Sequence, residues 1–367
     1  MIPIYQPYLT EKSIKYAEQA LRSNWLSHKG PFVEKTTNKL KEMLGVNHVL
    51  LLNNGTAGCH LLARIIRKFY PNINEIVCPN HVYVAAWNGF IQENFPLAIE
   101  NTDQWTLLRE EYGNFDDGQC ILIVHNVGNI VNVPKLQRDN PKLIIVEDAC
   151  EAFGGTYEGK PAGSASLASV FSFYSNKTIT QGEGGALVTN REDVYEYAKL
   201  LHGQGMGKVQ YIHDDLGYNY RTTNVAAAIL LGQLEDYSII SERKSEIFSY
   251  YKKEFGKLNY ITFPHITDDT TPANWIFTLR LINNPSYHNL QNYLHDHMIE
   301  IRPMFYSIER HPHTHNFISN INRDIALDDK IANEFFMIPS YPDLDRATQD
   351  HIIKTIQEYA KEYKLDK

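Results

Sequence analysis

Short, continuous runs of apolar residues are the feature that most constrains the fold of this chain. Seven such runs recur between residues 48 and 190, and most are too short to be helices. A strand that is buried on both faces of a parallel sheet is apolar throughout, whereas a half-exposed strand alternates. The runs cover residues 48–53, 75–79, 97–100, 120–125, 143–148, 169–174 and 186–189. They predict a mostly parallel sheet covered on both faces and argue against an all-β fold.

Helical patterns follow several of these predicted strands. Residues 56–70 and 87–93 come after the first two runs, so βα units alternate, as in an α/β layer fold. A long helical stretch begins near Asn224, with an Asn or Thr available as N-cap, and we expect it to continue with an interruption towards Phe255. It is a plausible connector to a second unit.

The remaining C-terminal part predicts a smaller α+β domain. It contains a strand pattern at 275–281, a helix at 286–297 and a closing helix at 345–363. We place the boundary near residue 245, with a large domain over residues 1–245 and a small one over 246–367.

Composition narrows the classes of function. The 367 residues are 43% hydrophobic and 21% charged, which is typical of a globular protein of two domains. The net charge of −8, without a basic block, does not favour nucleic acid or an anionic membrane as a partner. We see no signal-peptide pattern and no run of about 18 apolar residues, so we expect a cytoplasmic protein. The four cysteines form no C-x-x-C pair and are expected to be buried, reduced thiols.

Three segments at predicted strand ends carry the chemistry, because open α/β sheets bind ligands there. The first, residues 53–58, reads Asn-Asn-Gly-Thr-Ala-Gly between a strand and a helix. Backbone N–H groups and a hydroxyl at a helix N-terminus form a phosphate cradle. A turn of small residues selected for tight packing would give the same pattern.

The other two segments centre on an acid and a lysine. Asp148 follows a buried strand, where a carboxylate needs a cationic partner such as a protonated heterocyclic nitrogen; an Asp capping the next helix is the alternative. Lys177 follows another apolar strand and precedes a glycine-rich turn, which predicts a partly buried amine able to form a Schiff base rather than a surface lysine. Ser172 offers a further phosphate donor. Together these groups meet the requirements of pyridoxal phosphate.

The chain resembles the DegT/StrS family of pyridoxal-phosphate-dependent sugar aminotransferases almost end to end. Its sequence motifs are most similar to those of the perosamine and viosamine synthases. The resemblance implies fold type I, with a mostly parallel sheet in the large domain and a smaller C-terminal α+β domain. The matching motifs are Trp25-Leu26-Ser27, Asn54-Gly55-Thr56-Ala57, Val146-Glu147-Asp148-Ala149, the Lys177 segment, Gly217-Tyr218-Asn219-Tyr220-Arg221-Thr222-Thr223-Asn224, Arg302-Pro303-Met304-Phe305-Tyr306 and Ile338-Pro339-Ser340.

The resemblance also implies roles for individual residues. Lys177 would bond to the cofactor and then move protons as general acid and base, and Asp148 would keep the ring nitrogen protonated. The other implied cofactor contacts are Gly55, Thr56, Ala57 and Ser172 at the phosphate, Tyr83 on the ring, Glu151 near the ring hydroxyl where relatives often carry Gln or His, and Asn219 at the phosphate of a neighbouring subunit. Asn219 therefore implies a homodimer with shared active sites. The implied contacts for sugar, nucleotide or donor carboxylate are Arg221, Trp275, Arg302 and Phe305.

The implied reaction transfers an amino group from L-glutamate to a nucleotide-linked 4-keto-6-deoxyhexose, giving a 4-amino-4,6-dideoxy sugar nucleotide and 2-oxoglutarate. Amination at C3 within the same family, or a non-catalytic regulator that retains the fold, are the alternatives. The dehydrating branch of the family carries His at the Schiff-base position, and Lys177 argues against it.

Two further motifs do not alter this interpretation. The glycines at 203–208 fit neither G-x-G-x-x-G nor the P-loop pattern, which argues against a nicotinamide dehydrogenase, and we interpret them as a mobile loop. His311, His313 and His315 alternate in a polar stretch that we interpret as a solvent-facing loop, so we expect no metal site.

Overall fold

All seven predicted strands form in a computed structural model, which describes residues 1–100, 115, 118–264, 266, 269–321 and 324–366. The strands are β1 His48–Leu52, β2 Ile76–Pro79, β3 Leu97–Glu100, β4 Cys120–Val124, β5 Ile144–Asp148, β6 Thr156–Tyr157, β7 Lys160–Pro161, β8 Ala168–Ser172, β9 Gly185–Thr189, β10 Ile261–Thr262, β11 Thr270–Thr271, β12 Phe277–Leu281, β13 Arg302–Pro303, β14 Ile318–Ile321 and β15 Phe335–Ile338. The α-helices are α1 Glu11–Arg22, α2 Pro31–Leu44, α3 Gly55–Phe69, α4 Ala85–Ile91, α5 Val133–Asp139, α6 Glu192–His202, α7 Asn224–Glu235, α8 Tyr237–Phe255, α9 Tyr287–Asp296, α10 Ile325–Glu334 and α11 Arg346–Glu362.

The main sheet has the strand order β1-β9-β8-β5-β4-β2-β3-β14. Of its described strands, β9 runs antiparallel to both of its neighbours, and the other pairs are parallel. The predicted mostly parallel sheet is therefore confirmed. The carboxyl ends of β1, β8 and β5 consequently lie at the same edge.

The strands of this sheet are apolar throughout because both faces are buried. Leu51 and Ile145 belong to the core cluster that includes residues of α2 and α7, whereas Leu50 and Val146 belong to the cluster that includes residues of α3 and α4. Successive side chains of a strand point to opposite faces, so each strand serves two cores.

The predicted helix starts are confirmed by their caps. Asn54, Thr223, Ser286 and Asp345 each accept a hydrogen bond from a first-turn amide, at the starts of α3, α7, α9 and α11. The expected interruption of the long helical stretch falls at Asp236, between α7 and α8.

A second, antiparallel sheet, β10-β12-β15-β13, packs with α9 and α11 in the C-terminal part of the chain. β14, which the sequence analysis does not predict, leaves this part and joins the main sheet in parallel with β3. A buried contact also joins the two parts, with His81 Nε2 2.9 Å from Asp328 Oδ1. The division at residue 245 stays a prediction, and α8 runs continuously across it.

Two expectations about the whole chain can be compared with the structure. The four cysteines are free; three are buried and Cys150 is half-buried. None of the helices in the described ranges combines the length and apolar character needed to cross a bilayer.

Candidate active site

The three segments singled out in the sequence meet at one edge of the main sheet. β1 leads into α3, β5 ends at Asp148, and β8 ends at Ser172. Gly185 begins β9 between β1 and β8, and a Cβ there would lie 2.7 Å from the carbonyl oxygen of Asn54 and 2.8 Å from that of Phe171. Only a residue without a side chain lets these backbones approach so closely.

The predicted phosphate cradle lies at the start of α3, and Ser172 packs against it. A Cβ on Gly55 would lie 3.0 Å from Cys150 Sγ and 3.1 Å from Ser172 Cβ, so Gly55 leaves room where the two segments meet. The Asn54 side chain accepts the Ala57 amide at 2.8 Å, so that amide already has a partner within the chain. The other amides of the first turn and the Ser172 hydroxyl suit an anion.

Asp148 is a buried carboxylate, 6% exposed, whose contacts are with neutral groups. Its Oδ1 accepts the Cys150 amide at 3.0 Å, and its Oδ2 lies 3.9 Å from the Cys59 sulfur. The Asp148 side chain therefore binds the backbone amide two residues further along the chain and does not cap a helix. Within the described residues it forms no ion pair, so a protonated nitrogen would supply the missing positive charge.

Glu147, the neighbour of Asp148 in sequence, faces the other side of the sheet. It is fully buried, and its Oε2 lies 2.8 Å from His125 Nε2. The Val131 amide donates to His125 Nδ1 at 3.2 Å, so Nε2 carries the hydrogen and donates to Glu147. Burial would raise the pKa of Glu147, but hydrogen bonds from His125 and Ser169 outweigh it and hold this pKa below its ordinary value.

Lys177 is largely buried, with its side chain 13% exposed. Its Nζ lies 3.5 Å from Glu151 Oε1 and 4.1 Å from the centroid of the Trp275 ring. The Lys177 carbonyl accepts the Tyr5 hydroxyl at 2.7 Å. The partly buried amine expected from the sequence is present, and it lies between a carboxyl group and an aromatic face.

Glu151 is held by a strained turn. Its Oε2 accepts the Val127 amide at 2.6 Å, and Val127 has a φ of 51°, which is rare for a β-branched residue. Burial raises the pKa of Glu151 to about 7, although the nearby Lys177 ammonium acts in the opposite direction. This carboxyl group can therefore gain or lose a proton near neutral pH.

The predicted aromatic and cationic contacts lie in several segments. Tyr83 is 59% exposed, and its ring centroid lies 5.9 Å from that of Phe305. Phe305 packs against the core cluster that contains Trp275 and Val127, so this aromatic pair borders the Lys177 region. Arg302 is half-exposed, with Nε 3.9 Å from Glu300 Oε1.

Asn219 and Arg221 lie beside the carboxyl end of β1. The Asn53 amide donates to the Tyr220 carbonyl at 2.8 Å, and Arg221 Nε donates to Asn219 Oδ1 at 3.0 Å. Asn219 is exposed on this edge. The neighbouring 203–208 segment pairs back onto the chain through single bridges from Gly203 to Asn219 and from Met206 to His213.

Two of the three alternating histidines have hydrogen-bond partners in different segments, and the ring centroid of the third, His311, lies 6.2 Å from that of His313. His313 Nε2 lies 2.8 Å from Asn88 Oδ1, and His315 Nε2 lies 2.8 Å from the Glu309 carbonyl. In the part of the chain that the structure describes, no group of three or more potential metal ligands is found.

Lys244 is a residue near the site that the sequence analysis places in a helix without a role. It is 1% exposed, and its Nζ donates to the Trp275 carbonyl at 2.5 Å and the Ser340 carbonyl at 2.6 Å. The sequence does indicate that Lys244 is buried, since it stands at helical spacing between the apolar residues Ile240 and Ile247.

Known proteins resemble this chain over nearly its whole length. The sequence profile of the DegT/DnrJ/EryC1/StrS aminotransferase family matches residues 7–357. A GDP-perosamine synthase of Escherichia coli O157:H7 is 32% identical over 365 residues, which is 98% of each chain. A UDP-4-amino-4,6-dideoxy-N-acetyl-beta-L-altrosamine transaminase of Campylobacter jejuni is 30% identical over 289 residues, which is 77% of each. The fold is similar to that of Helicobacter pylori PseC, an aminotransferase of pseudoaminic acid biosynthesis, with a TM-score of 0.89, 23% identity and coverage of 98% and 99% of the two chains.

Proposed function

The chain belongs to the DegT/DnrJ/EryC1/StrS aminotransferase family, and we propose that it transfers the amino group of L-glutamate to a nucleotide-linked 4-keto-6-deoxyhexose. The products would be a 4-amino-4,6-dideoxy sugar nucleotide and 2-oxoglutarate. The chain is a pyridoxal-phosphate-dependent sugar aminotransferase. The observation that most supports the proposed chemistry is the presence of Lys177, Asp148 and the Gly55–Ser172 contact at one sheet edge.

The residues at this edge fit pyridoxal phosphate. The space at Gly55 and the Ser172 hydroxyl suit the phosphate, and the buried, uncompensated Asp148 suits a protonated ring nitrogen. When bound, the cofactor supplies an aldehyde carbon and an electron-withdrawing ring. Tyr83 would lie against the ring and Glu151 near its hydroxyl, as the family resemblance implies. Among the phosphate contacts, Gly55 and Thr56 would donate more readily than Ala57, whose amide already binds Asn54.

Two side chains would carry the proton movements. Asp148 would hold a proton at the ring nitrogen, because a positive charge opposite its buried carboxylate would add to the stabilisation that the Cys150 amide supplies. Lys177 Nζ would take a proton from the carbon that bears the amino group and return it to another carbon, as general base and then general acid. Its low exposure keeps bulk water from competing for that proton.

The substrates are anionic, whereas the chain carries a net charge of −8. Local cations must therefore attract the sugar nucleotide and the glutamate carboxylates. We propose Arg221 and Arg302 for this task and Phe305, beside Tyr83, as a sugar or nucleotide contact. The contact of Trp275 with substrate stays a prediction, and low exposure, 3% for the whole residue, argues against it.

Amination at C4 rather than C3 is supported by similarity. The 32% identical relative is named a GDP-perosamine synthase, and the 30% identical relative is named for a 4-amino-4,6-dideoxy sugar. Amination at C3 remains the alternative. We also propose a homodimer in which Asn219, exposed beside β1, reaches the neighbouring subunit's cofactor phosphate.

The proposal is tested by incubating the wild-type protein, pyridoxal phosphate and L-glutamate with a panel of dTDP-, UDP- and GDP-linked 3-keto and 4-keto sugars. We expect one 4-keto sugar to be converted, with 2-oxoglutarate formed in equal amount and NMR locating the new amine at C4. An amine at C3 would establish the alternative regiochemistry.

Lys177→Ala is the variant that we expect to be inactive in the same assay. Because it removes the amine that bonds to the cofactor, we expect the visible absorption band of the wild-type protein to disappear together with turnover. Lys199→Ala, on the exposed face of α6, controls for loss of a lysine and should retain both. A wild-type protein that stays colourless with added cofactor would overturn the role of Lys177.

A further inference from the structure

We propose that Trp275 is a positioning residue for Lys177, and that Lys244 and Tyr5 hold it in that role. The inference rests on the proposed function, since it concerns the lysine that we expect to bond to the cofactor. In this role Trp275 orients the Lys177 amine and does not contact the substrate.

The indole of Trp275 contacts the lysine segment at two points. Its face lies under Lys177 Nζ, with 4.1 Å between the nitrogen and the ring centroid. Its Nε1 donates to the carbonyl of Asn176, the preceding residue, at 2.8 Å. Because a single rigid ring makes both contacts, the amine and the backbone that carries it are fixed relative to each other.

Lys244 fixes the backbone of Trp275 in turn. Its buried amino group donates to the carbonyls of Trp275 and Ser340, at 2.5 and 2.6 Å. A buried polar group is costly unless it is hydrogen-bonded, so the fold strongly favours geometries that keep both carbonyls on Nζ. Ser340 is itself tied to the small sheet, because its Oγ accepts the Phe277 amide at 2.9 Å.

Tyr5 contacts both lysines, Lys177 and Lys244. Its hydroxyl donates to the Lys177 carbonyl at 2.7 Å, and its ring centroid lies 5.5 Å from Lys244 Nζ. Contacts therefore run from Lys244 to Trp275, from Trp275 to Lys177, from Lys177 to Tyr5, and back to Lys244. The N-terminal segment, the long helix α8 and the small sheet together locate one amine.

An aromatic face suits this task better than a second carboxylate. It attracts a cation by about 0.5–2 kcal/mol without accepting a conventional hydrogen bond or a proton from it. The donors of Lys177 remain free to turn towards a bound carbonyl group or towards Glu151, at 3.5 Å. Removing the face should leave the amine present but poorly placed, and small misplacements of a reacting group are costly in rate.

The first test measures how fast the apoprotein of the full chain captures pyridoxal phosphate, from the rise of visible absorbance in a stopped-flow experiment. Borohydride trapping and peptide mass spectrometry then confirm the bond at Lys177. We expect Trp275→Leu to slow capture on the order of 10–100-fold, whereas Trp275→Phe, which keeps an aromatic face, should recover most of that loss. Equal rates for Trp275→Leu and wild type would overturn the proposal.

The second test separates positioning from stability. Lys244→Met should slow capture, whereas Lys253→Met, an exposed position on the same helix, should not. The effects of Lys244→Met and Trp275→Leu should be less than additive, because Lys244 acts through Trp275. Urea unfolding establishes that each variant is folded, and full additivity or a normal rate for folded Lys244→Met would contradict the proposal.

Tyr5→Phe is the substitute variant for this test if Lys244→Met does not fold. It removes one hydroxyl, and we expect slower capture than in Tyr8→Phe, a neighbouring half-buried tyrosine. If wild type captures cofactor and Tyr5→Phe and Trp275→Leu do so equally fast, the positioning role fails while the proposed function stands. If wild type captures none, the proposed function itself fails.

Discussion

Neighbouring acidic residues in β5 have different surroundings because a strand alternates. Glu147 points into one core and pairs with His125, whereas Asp148 points towards α3 and the cofactor edge. From the sequence the two form a carboxylate pair at a strand end. The period of two places them on opposite faces of the sheet, so Asp148 rather than Glu147 is the predicted ligand contact.

Glu151 offers a prediction about pH at the residue scale. Burial raises its pKa from 4.5 to about 7, so the folded state prefers the protonated carboxyl group more than the unfolded state does. Its contribution to stability is therefore complete below about pH 4.5 and is lost as the pH rises through about 7. Glu151→Gln is neutral throughout and keeps an acceptor for the Val127 amide.

We expect the free energy of unfolding of Glu151→Gln to increase relative to wild type between pH 5 and pH 7.5, by roughly 1–3 kcal/mol. Urea unfolding of the apoproteins at the two pH values measures this difference. Glu196→Gln, on the exposed face of α6, controls for loss of a carboxylate. A constant difference, or one that favours wild type at the higher pH, would contradict the raised pKa.

At the scale of elements, the start of α3 links a sequence motif to a binding surface. Asn54 caps the helix, and Gly55 lets Ser172 of the neighbouring β8 reach its first turn. The close packing of small residues, which was the alternative interpretation, is present at Gly55 and brings the predicted phosphate donors together. The phosphate cradle itself stays a prediction.

Gly55→Ala tests this junction. Its Cβ would lie 3.0 Å from Cys150 Sγ and 3.1 Å from Ser172 Cβ, closer than side chains ordinarily pack, so Ser172 must move away from the helix. We expect the dissociation constant for pyridoxal phosphate to rise about 10-fold, the equivalent of about 1.4 kcal/mol, as measured by absorbance titration.

Glu11→Ala changes the first residue of the distant helix α1 and controls for a first-turn substitution. Alanine is a better helix former than glycine, so we expect little loss of helix stability in Gly55→Ala. A variant that binds the cofactor as tightly as wild type would show that Ser172 and the α3 start do not form the phosphate site.

At the scale of the whole molecule, the proposed sharing of sites between subunits can be tested by mixing two variants. Lys177→Ala and Asn219→Ala should each be impaired, because each removes one part of every site. In a mixed dimer one site has both changes and the other has neither. After subunits exchange, we expect about a quarter of wild-type turnover, since about half of the dimers are mixed and each has one intact site.

Each variant mixed with itself provides the control, and sedimentation establishes the assembly. Recovery of activity in a monomeric sample, or none in mixed dimers that have demonstrably formed, would contradict shared sites. The dimer and the cytoplasmic location stay predictions until such measurements are made.

Much of the large sheet could be predicted because its information is local. Continuous apolar runs marked seven strands to within a few residues, and Asn54 and Thr223 marked the starts of two helices. The β14 strand could not be predicted, since its four residues, two half-exposed and two exposed, carry little periodicity and pair with β3. Lys177, Asp148 and Ser172 could be predicted as candidates because strand ends followed by polar or small residues indicate a site, and their roles stay predictions.

The sequence by itself determined seven strands of the main sheet, several helices, the candidate strand-end residues and the resemblance to the family, because propensity, apolar periodicity and motif spacing act over a few neighbouring residues. Tertiary structure alone decided which groups surround the reactive amine. The partners Tyr5, Glu151, Lys244 and Trp275 come from four distant segments. Long-range packing brings them together, and burial then raises the pKa of Glu151 and lowers that of Lys244, since the cost of an unpaired charge depends on what surrounds it.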